Sequence, residues 1–265
     1  MQKENIKEIV VFLILTFLIT WSLWLFPVLN SAGLKVPVFL IALSMAANFG
    51  PTFSAFILTA KHSGKTGVKN LLKKGVNFRF GKLWFFIILS APIIGLLSFL
   101  IVRQTGYEFQ TDFFKNPYSI LPFFFMMTIT GGPLGEEFGW RGYLLERLQK
   151  KFNSLNSSLI LGLIHGIWHL PLFFIAGTTQ SFIPFWEFMA IITFTAPFYT
   201  FIFNNTGKSI AGAILFHSFS NLTAWMFPYW HIDIGRWVFF SFNLILLFII
   251  ICKYGYKNLK IKDPF

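Results

Sequence analysis

One cysteine, Cys252, stands among 265 residues. That scarcity excludes an internal disulfide and any cysteine-based zinc centre. Charge is also thin, at 12% of residues, and acids number only ten against 22 Lys and Arg. A soluble domain carries more. The chain is instead 55% hydrophobic with 37 Phe, the composition of a polytopic membrane protein. A net charge of +12 would suit nucleic acid, but the basic residues sit in short loops between apolar stretches. There they read as topology signals and as contacts to the anionic inner leaflet, so no nucleic-acid partner is expected. The first apolar stretch is long and lacks a small-residue cleavage site, which argues against a secretory signal. Cys252 reads as a buried, inert thiol.

Hydropathy predicts an all-α bundle of about eight transmembrane helices. The spans run Ile9–Leu29, Val36–Thr59, Leu83–Val102, Ile120–Leu145, Ser158–Ile175, Phe185–Phe203, Ile210–Phe227 and Trp237–Cys252. Residues 1–265 read as one membrane domain. With the N-terminus inside, 17 of the 22 Lys and Arg fall on inner segments, Arg141 lies within a span, and Lys35, Arg103, Lys115 and Arg236 fall outside. That asymmetry places both termini in the cytoplasm. Lys61–Lys82 holds seven basic residues and no acid, and predicts a short helix on the inner leaflet over Val68–Lys74. Glu187 reads as solvated near the outer surface, and Asn48 and Asn243 as interhelical hydrogen bonders.

The fourth span is the unusual one. Gly131-Gly132-Pro133 should break it, and Gly131, Gly135 and Gly139 recur every four residues as a small packing face. Glu136, Glu137 and Arg141 follow the break. An ionisable group at the bilayer centre costs about 2.5–3.5 kcal/mol on insertion scales, so three together need partners or a task. Glu137 and Arg141 are spaced i,i+4, acid first, and predict an ion pair. Glu136 lies about 100° round the helix and is left free. The fifth span adds His165 and His169, the seventh His217 and Asn221, each pair on one helix face. At about 1.5 Å per residue, Glu136, His165 and His217 lie roughly 10–16 Å from the cytoplasmic end. They read as one shared site. His169, taken alone, reads as a packing residue.

Glu136-Glu137-x-x-x-Arg141, Leu161-x-x-x-His165 and His217-x-x-x-Asn221 resemble the three motifs of the CPBP intramembrane protease family. This is the Abi family of CAAX prenyl proteases and bacteriocin-processing or immunity proteins. Leu161 departs from the family's usual Phe. The resemblance covers about residues 120–225 and implies a catalytic core built from the fourth to seventh spans. It implies that Glu136 and His165 activate a water, that His217 and Asn221 stabilise an oxyanion, and that Glu137 and Arg141 support the site. The implied activity is hydrolysis of membrane-associated or lipid-accessible peptides, such as bacteriocin or pheromone precursors, in a prokaryotic plasma membrane. Zinc, if bound, would sit on Glu136, His165 and His217. With no HExxH motif, and with a Glu–His water needing no ion, the metal-free mechanism is preferred. An immunity or scaffold protein without proteolysis is the alternative. A proton-coupled transporter fits less well, because the chain shows no internal repeat and only one clear helix break.

Overall fold

The computed structural model describes residues 2–107, 116–227 and 229–261. Lys115 and Lys262, used in the charge count above, lie outside the described residues. Among the described residues, 82% are helical and no strand occurs. Six helices among the described residues are long and apolar enough to cross a membrane. Their outer faces expose side chains such as Leu18, Phe86 and Phe248, as lipid-facing surfaces do. The chain is a multi-pass integral membrane protein.

Helix α1 (Gln2–Ser31) is continuous. The second expected span opens with a short α2 (Val38–Leu43) and a 3₁₀ segment (Ser44–Phe49) before α3 (Gly50–Gly75). Helix α3 runs well past Thr59, turning at Gly64 (φ 57°) so that its basic second half leaves the axis of the first. Helices α4 (Lys82–Ile88) and α5 (Ser90–Arg103) together form the third span.

Of the eight expected spans, two fall short of full-length crossing helices. The fourth is divided into α6 (Ile120–Thr130), α7 (Pro133–Gly139), a π-helical segment (Trp140–Leu145) and the single turn α8 (Glu146–Leu148). The break falls at Gly131-Gly132, where Gly132 takes φ 110°, a value that disfavours any side chain. The seventh is α11 (Ile210–Met226), with 17 residues, or about 26 Å of rise. Helix α9 (Ser154–Trp168) starts four residues earlier than hydropathy suggests, because Asn153 caps it by accepting from the Asn156 N–H at 2.8 Å. It ends before Pro171, and a 3₁₀ turn (Leu170–Phe174) follows. Helices α10 (Phe185–Asn205) and α12 (Asp233–Tyr254) complete the bundle.

Two glycines set how close α7 comes to α3. A Cβ on Gly135 would lie 2.5 Å from the Asn48 carbonyl oxygen, and one on Gly139 2.5 Å from Pro51 backbone atoms. The small-residue face is therefore the contact that seats the carboxylates against the start of α3. At one end of the bundle, Lys74 and Lys208 reach Glu146 at 2.8 and 3.1 Å, and Arg147 reaches Glu8 at 2.7 Å.

Three expectations need correction. Glu187 is buried and binds Arg236 Nε at 2.6 Å, because Arg236 on α12 points inward and needs a counter-charge. Cys252 is exposed, since the last turn of α12 faces outward. Asn243 donates to Phe239 O within its own helix at 2.7 Å rather than across helices. Asn48 does bridge helices, donating to Thr130 O at 2.7 Å.

Candidate active site

The site is built where the broken fourth span meets α9 and α11. Breaking the helix frees the carbonyls that end α6, and side chains from two directions satisfy them. Asn48 donates to Thr130 O, and Asn221 Nδ2 donates to Gly131 O at 3.1 Å. The break is thus held open by amides rather than closed by helix hydrogen bonds. Gly132 serves it sterically as well. A Cβ there would lie 2.2 Å from Glu136 Oε1, so only glycine lets the carboxylate fold back over the break.

Glu136 Oε2 lies 2.7 Å from His165 Nε2, and both side chains are buried. The imidazole N–H donates to the carboxylate when Glu136 is ionised. Glu137 is fully buried, and its Oε1 accepts twice, from Arg141 Nη1 at 2.7 Å and from His217 Nδ1 at 2.8 Å. The two adjacent carboxylates, turned apart by helix geometry, therefore take different partners. The guanidinium of Arg141 lies 3.9 Å over the Tyr199 ring, which stacks the cation against α10. The Tyr199 ring meets the His217 ring edge-on, with centroids 5.7 Å apart.

His169 is the residue that sequence reasoning set aside. Its Nδ1 lies 2.8 Å from His165 O. A carbonyl only accepts, so Nδ1 carries the proton and Nε2 presents a lone pair. The donor atoms of Glu136, His165 and His169 all lie within 4.8 Å of one another. The signal was present in the i,i+4 spacing of His165 and His169 with Pro171 ending the helix just beyond. A histidine one turn after another on a site-facing helix shares its face.

This arrangement changes the ligand set that a metal would use. Glu136, His165 and His169 converge and would leave a fourth position open, as a catalytic zinc site requires. His217, placed in that set from sequence, has its Nδ1 bound to Glu137 and is not among the converging donors. The residues present fit a divalent ion on the first set.

A cavity of about 410 Å³ holds Glu136, Arg141, His165, His169, His217 and Asn221 in its wall. That volume lies within the usual range for small-ligand sites. The cavity continues past Phe188 and Ile191 to Gly177–Gln180 and to Tyr229 and Trp230. It reaches the surface at Gly177 and beside Trp225. A polar floor therefore sits below an apolar, partly open passage.

Residues 117–223 match the family model of the type II CAAX prenyl endopeptidase Rce1-like proteins. A relative named CAAX prenyl protease 2, from Methanococcus maripaludis, is 26% identical over 226 residues. That alignment covers 78% of this chain and 80% of the relative. The matched segment contains the helix break, both carboxylates, Arg141, His165, His169, His217 and Asn221. Residues 117–223 are therefore similar to Rce1-like CAAX prenyl endopeptidases, in line with the resemblance that the three motifs carry.

Proposed function

We propose that the protein is an intramembrane endopeptidase that cleaves membrane-associated or lipid-accessible peptides. The observation that carries this reading is Glu136 Oε2 at 2.7 Å from His165 Nε2, on the wall of a cavity open to the surface. Peptide hydrolysis needs a base beside the attacking water, and a buried carboxylate held in one orientation supplies it. Glu136 takes a proton as the water oxygen bonds to the substrate carbonyl carbon. The tetrahedral intermediate collapses with cleavage of the C–N bond, and Glu136 returns the proton to the leaving nitrogen.

His165 fixes the Glu136 carboxylate, and the free Nε2 of His169 offers the water a second acceptor. Asn221 uses one amide N–H on Gly131 O and keeps another for the developing oxyanion. A divalent ion held by Glu136, His165 and His169 would add Lewis-acid polarisation of the carbonyl. The family description and the relative's name point to prenylated C-terminal peptides, whereas a prokaryotic setting favours unprenylated precursors. Residues 120–225 form the catalytic core in this reading, and the remaining helices frame it.

The test is cleavage of quenched fluorescent CAAX-type peptides, farnesylated or bare, by protein reconstituted in liposomes. Glu136→Gln should abolish turnover by several powers of ten while leaving the melting temperature near that of the parent. Asn221→Ala should lower turnover by about 10²–10³. Retained cleavage in Glu136→Gln sinks the reading and returns the site to a scaffold, immunity or transport role.

A further inference from the structure

We infer that helix α1, which lies outside the matched residues 117–223, helps build the active site: Trp21 and Trp24 are positioning residues that hold His169 beside Glu136 and His165. The consequence for turnover rests on the endopeptidase reading. The geometry does not.

His165 sits inside α9, where the helix itself fixes it. His169 sits where the helical ladder fails. Its N–H bonds Gly166 O at 3.2 Å, one residue short of the α-helical partner, and its own ring takes His165 O at 2.8 Å. Pro171 has no N–H to give, and that of Leu172 turns to His169 O at 2.9 Å. The Trp168 carbonyl is therefore left without a backbone donor, as the last carbonyls of a helix are. Trp21 Nε1 donates to it at 3.0 Å. Among the described residues this is the only hydrogen bond between the backbone of residues 165–169 and another transmembrane helix.

The ring is held from the same side. Trp24 follows Trp21 by three residues and so shares its helix face. It is buried in the cavity wall, with its ring centroid 4.7 Å from that of Trp168 and 6.5 Å from that of His169. Phe188 meets His169 from α10, with centroids 5.2 Å apart. At the end of α1, Ser31 Oγ accepts from Ala176 N at 3.0 Å, next to Gly177 where the cavity opens. Helix α1 thus braces the chain from the polar floor of the cavity to its mouth. A helix that served only as packing could touch α9 anywhere along its length. These contacts gather on the turn that carries His169, the one member of the converging set that its own helix does not hold.

The experiment reads that histidine directly. Protein labelled with ¹⁵N-histidine is placed in liposomes, and the His169 ring signals are assigned by their loss in His169→Asn. In solid-state NMR, Trp21→Phe, which keeps an aromatic ring and removes the N–H, should shift or split the His169 signals and leave those of His217 in place. It should lower kcat on the farnesylated CAAX peptide by about 10- to 100-fold with KM within a few-fold, the size of loss that follows from misplacing a catalytic group by about 1 Å. Ser22→Ala, on the same helix but with an exposed hydroxyl bonded to Ile19 O, should change neither reading. Unmoved His169 signals in Trp21→Phe overturn the inference, as does a kcat within about three-fold of the parent or a loss that Ser22→Ala reproduces. Should Trp21→Phe fail to fold, Trp24→Phe is judged by the same two measurements and the same limits. Should the parent cleave no peptide, the endopeptidase reading falls, and the His169 signals alone decide whether α1 positions the ring.

Discussion

Glu137 Oε1 sits between Arg141 Nη1 and His217 Nδ1, bonding both within 2.8 Å in a site that water barely reaches. Removing the cation alone strands a buried carboxylate, a change that typically costs about 3–5 kcal/mol. Arg141→Leu should therefore lower the melting temperature in detergent more than Arg141→Leu combined with Glu137→Gln. Equal shifts for the single and double variants would remove the ion pair from the structure's energetics.

The helix break makes a second, sharper expectation. A methyl group at Gly132 would meet Glu136 Oε1 at 2.2 Å and would have to adopt φ 110°. Backbone strain of this kind costs on the order of 1–3 kcal/mol. Gly132→Ala should displace the Glu136 carboxylate and lose peptide cleavage as fully as Glu136→Gln does. Gly81→Ala, where nothing lies within 4 Å and φ is −59°, should leave both stability and cleavage unchanged. Full activity in Gly132→Ala would show that the carboxylate does not need its observed position.

Much of this site could be read from the chain because its parts obey local rules. The i,i+4 spacing gave the Glu137–Arg141 pair, and Gly-Gly-Pro gave the break. What stayed hidden came from contacts across helices. That His217 turns to Glu137, and that Asn48 and Asn221 cap consecutive carbonyls of the break, depends on how three helices rotate about their axes. Hydropathy carries no information on rotation. His169 reads as a packing residue because a lone histidine in a span usually is one, and only the packing of the helices shows its ring in the cavity wall beside Glu136 and His165. Glu187 was misplaced for a related reason. Its partner Arg236 lies 49 residues away, and nothing local announces it.

At the basic end of the bundle, pH should act through Glu146. Burial pushes its carboxyl up, but the hydrogen bond and charge of Lys74 and the charge of Lys208 outweigh that and hold it below the ordinary 4.5. A folded-state value below the unfolded one means stability that is fully present above pH 4.5 and is lost as pH falls through the lower, folded value. The melting-temperature difference between the parent and Glu146→Gln should be constant from about pH 7 to pH 5 and should shrink below that. A difference that grows on acidification would contradict the assigned direction.

The last expectation joins topology to access. Helix α9 rises about 22 Å from the basic end before its chain reaches Gly177, and α11 rises about 26 Å before Tyr229. The cavity reaches both of these segments, so its mouth lies at the end of the bundle opposite Lys74, Glu146, Arg147 and Lys208. If the basic end faces the cytoplasm, substrate enters from the outer face or from the outer leaflet beside Trp225. In a Cys252→Ser background, Thr179→Cys should react with a membrane-impermeant maleimide on intact cells, and Lys208→Cys should react only after lysis. Labelling Thr179→Cys should also block peptide cleavage by filling the passage, whereas labelling Lys208→Cys should not. Reaction of Lys208→Cys on intact cells would invert the topology and put the mouth in the cytoplasm. Uninhibited cleavage after complete labelling of Thr179→Cys would instead leave the topology standing and move the substrate path to the side opening at Trp225.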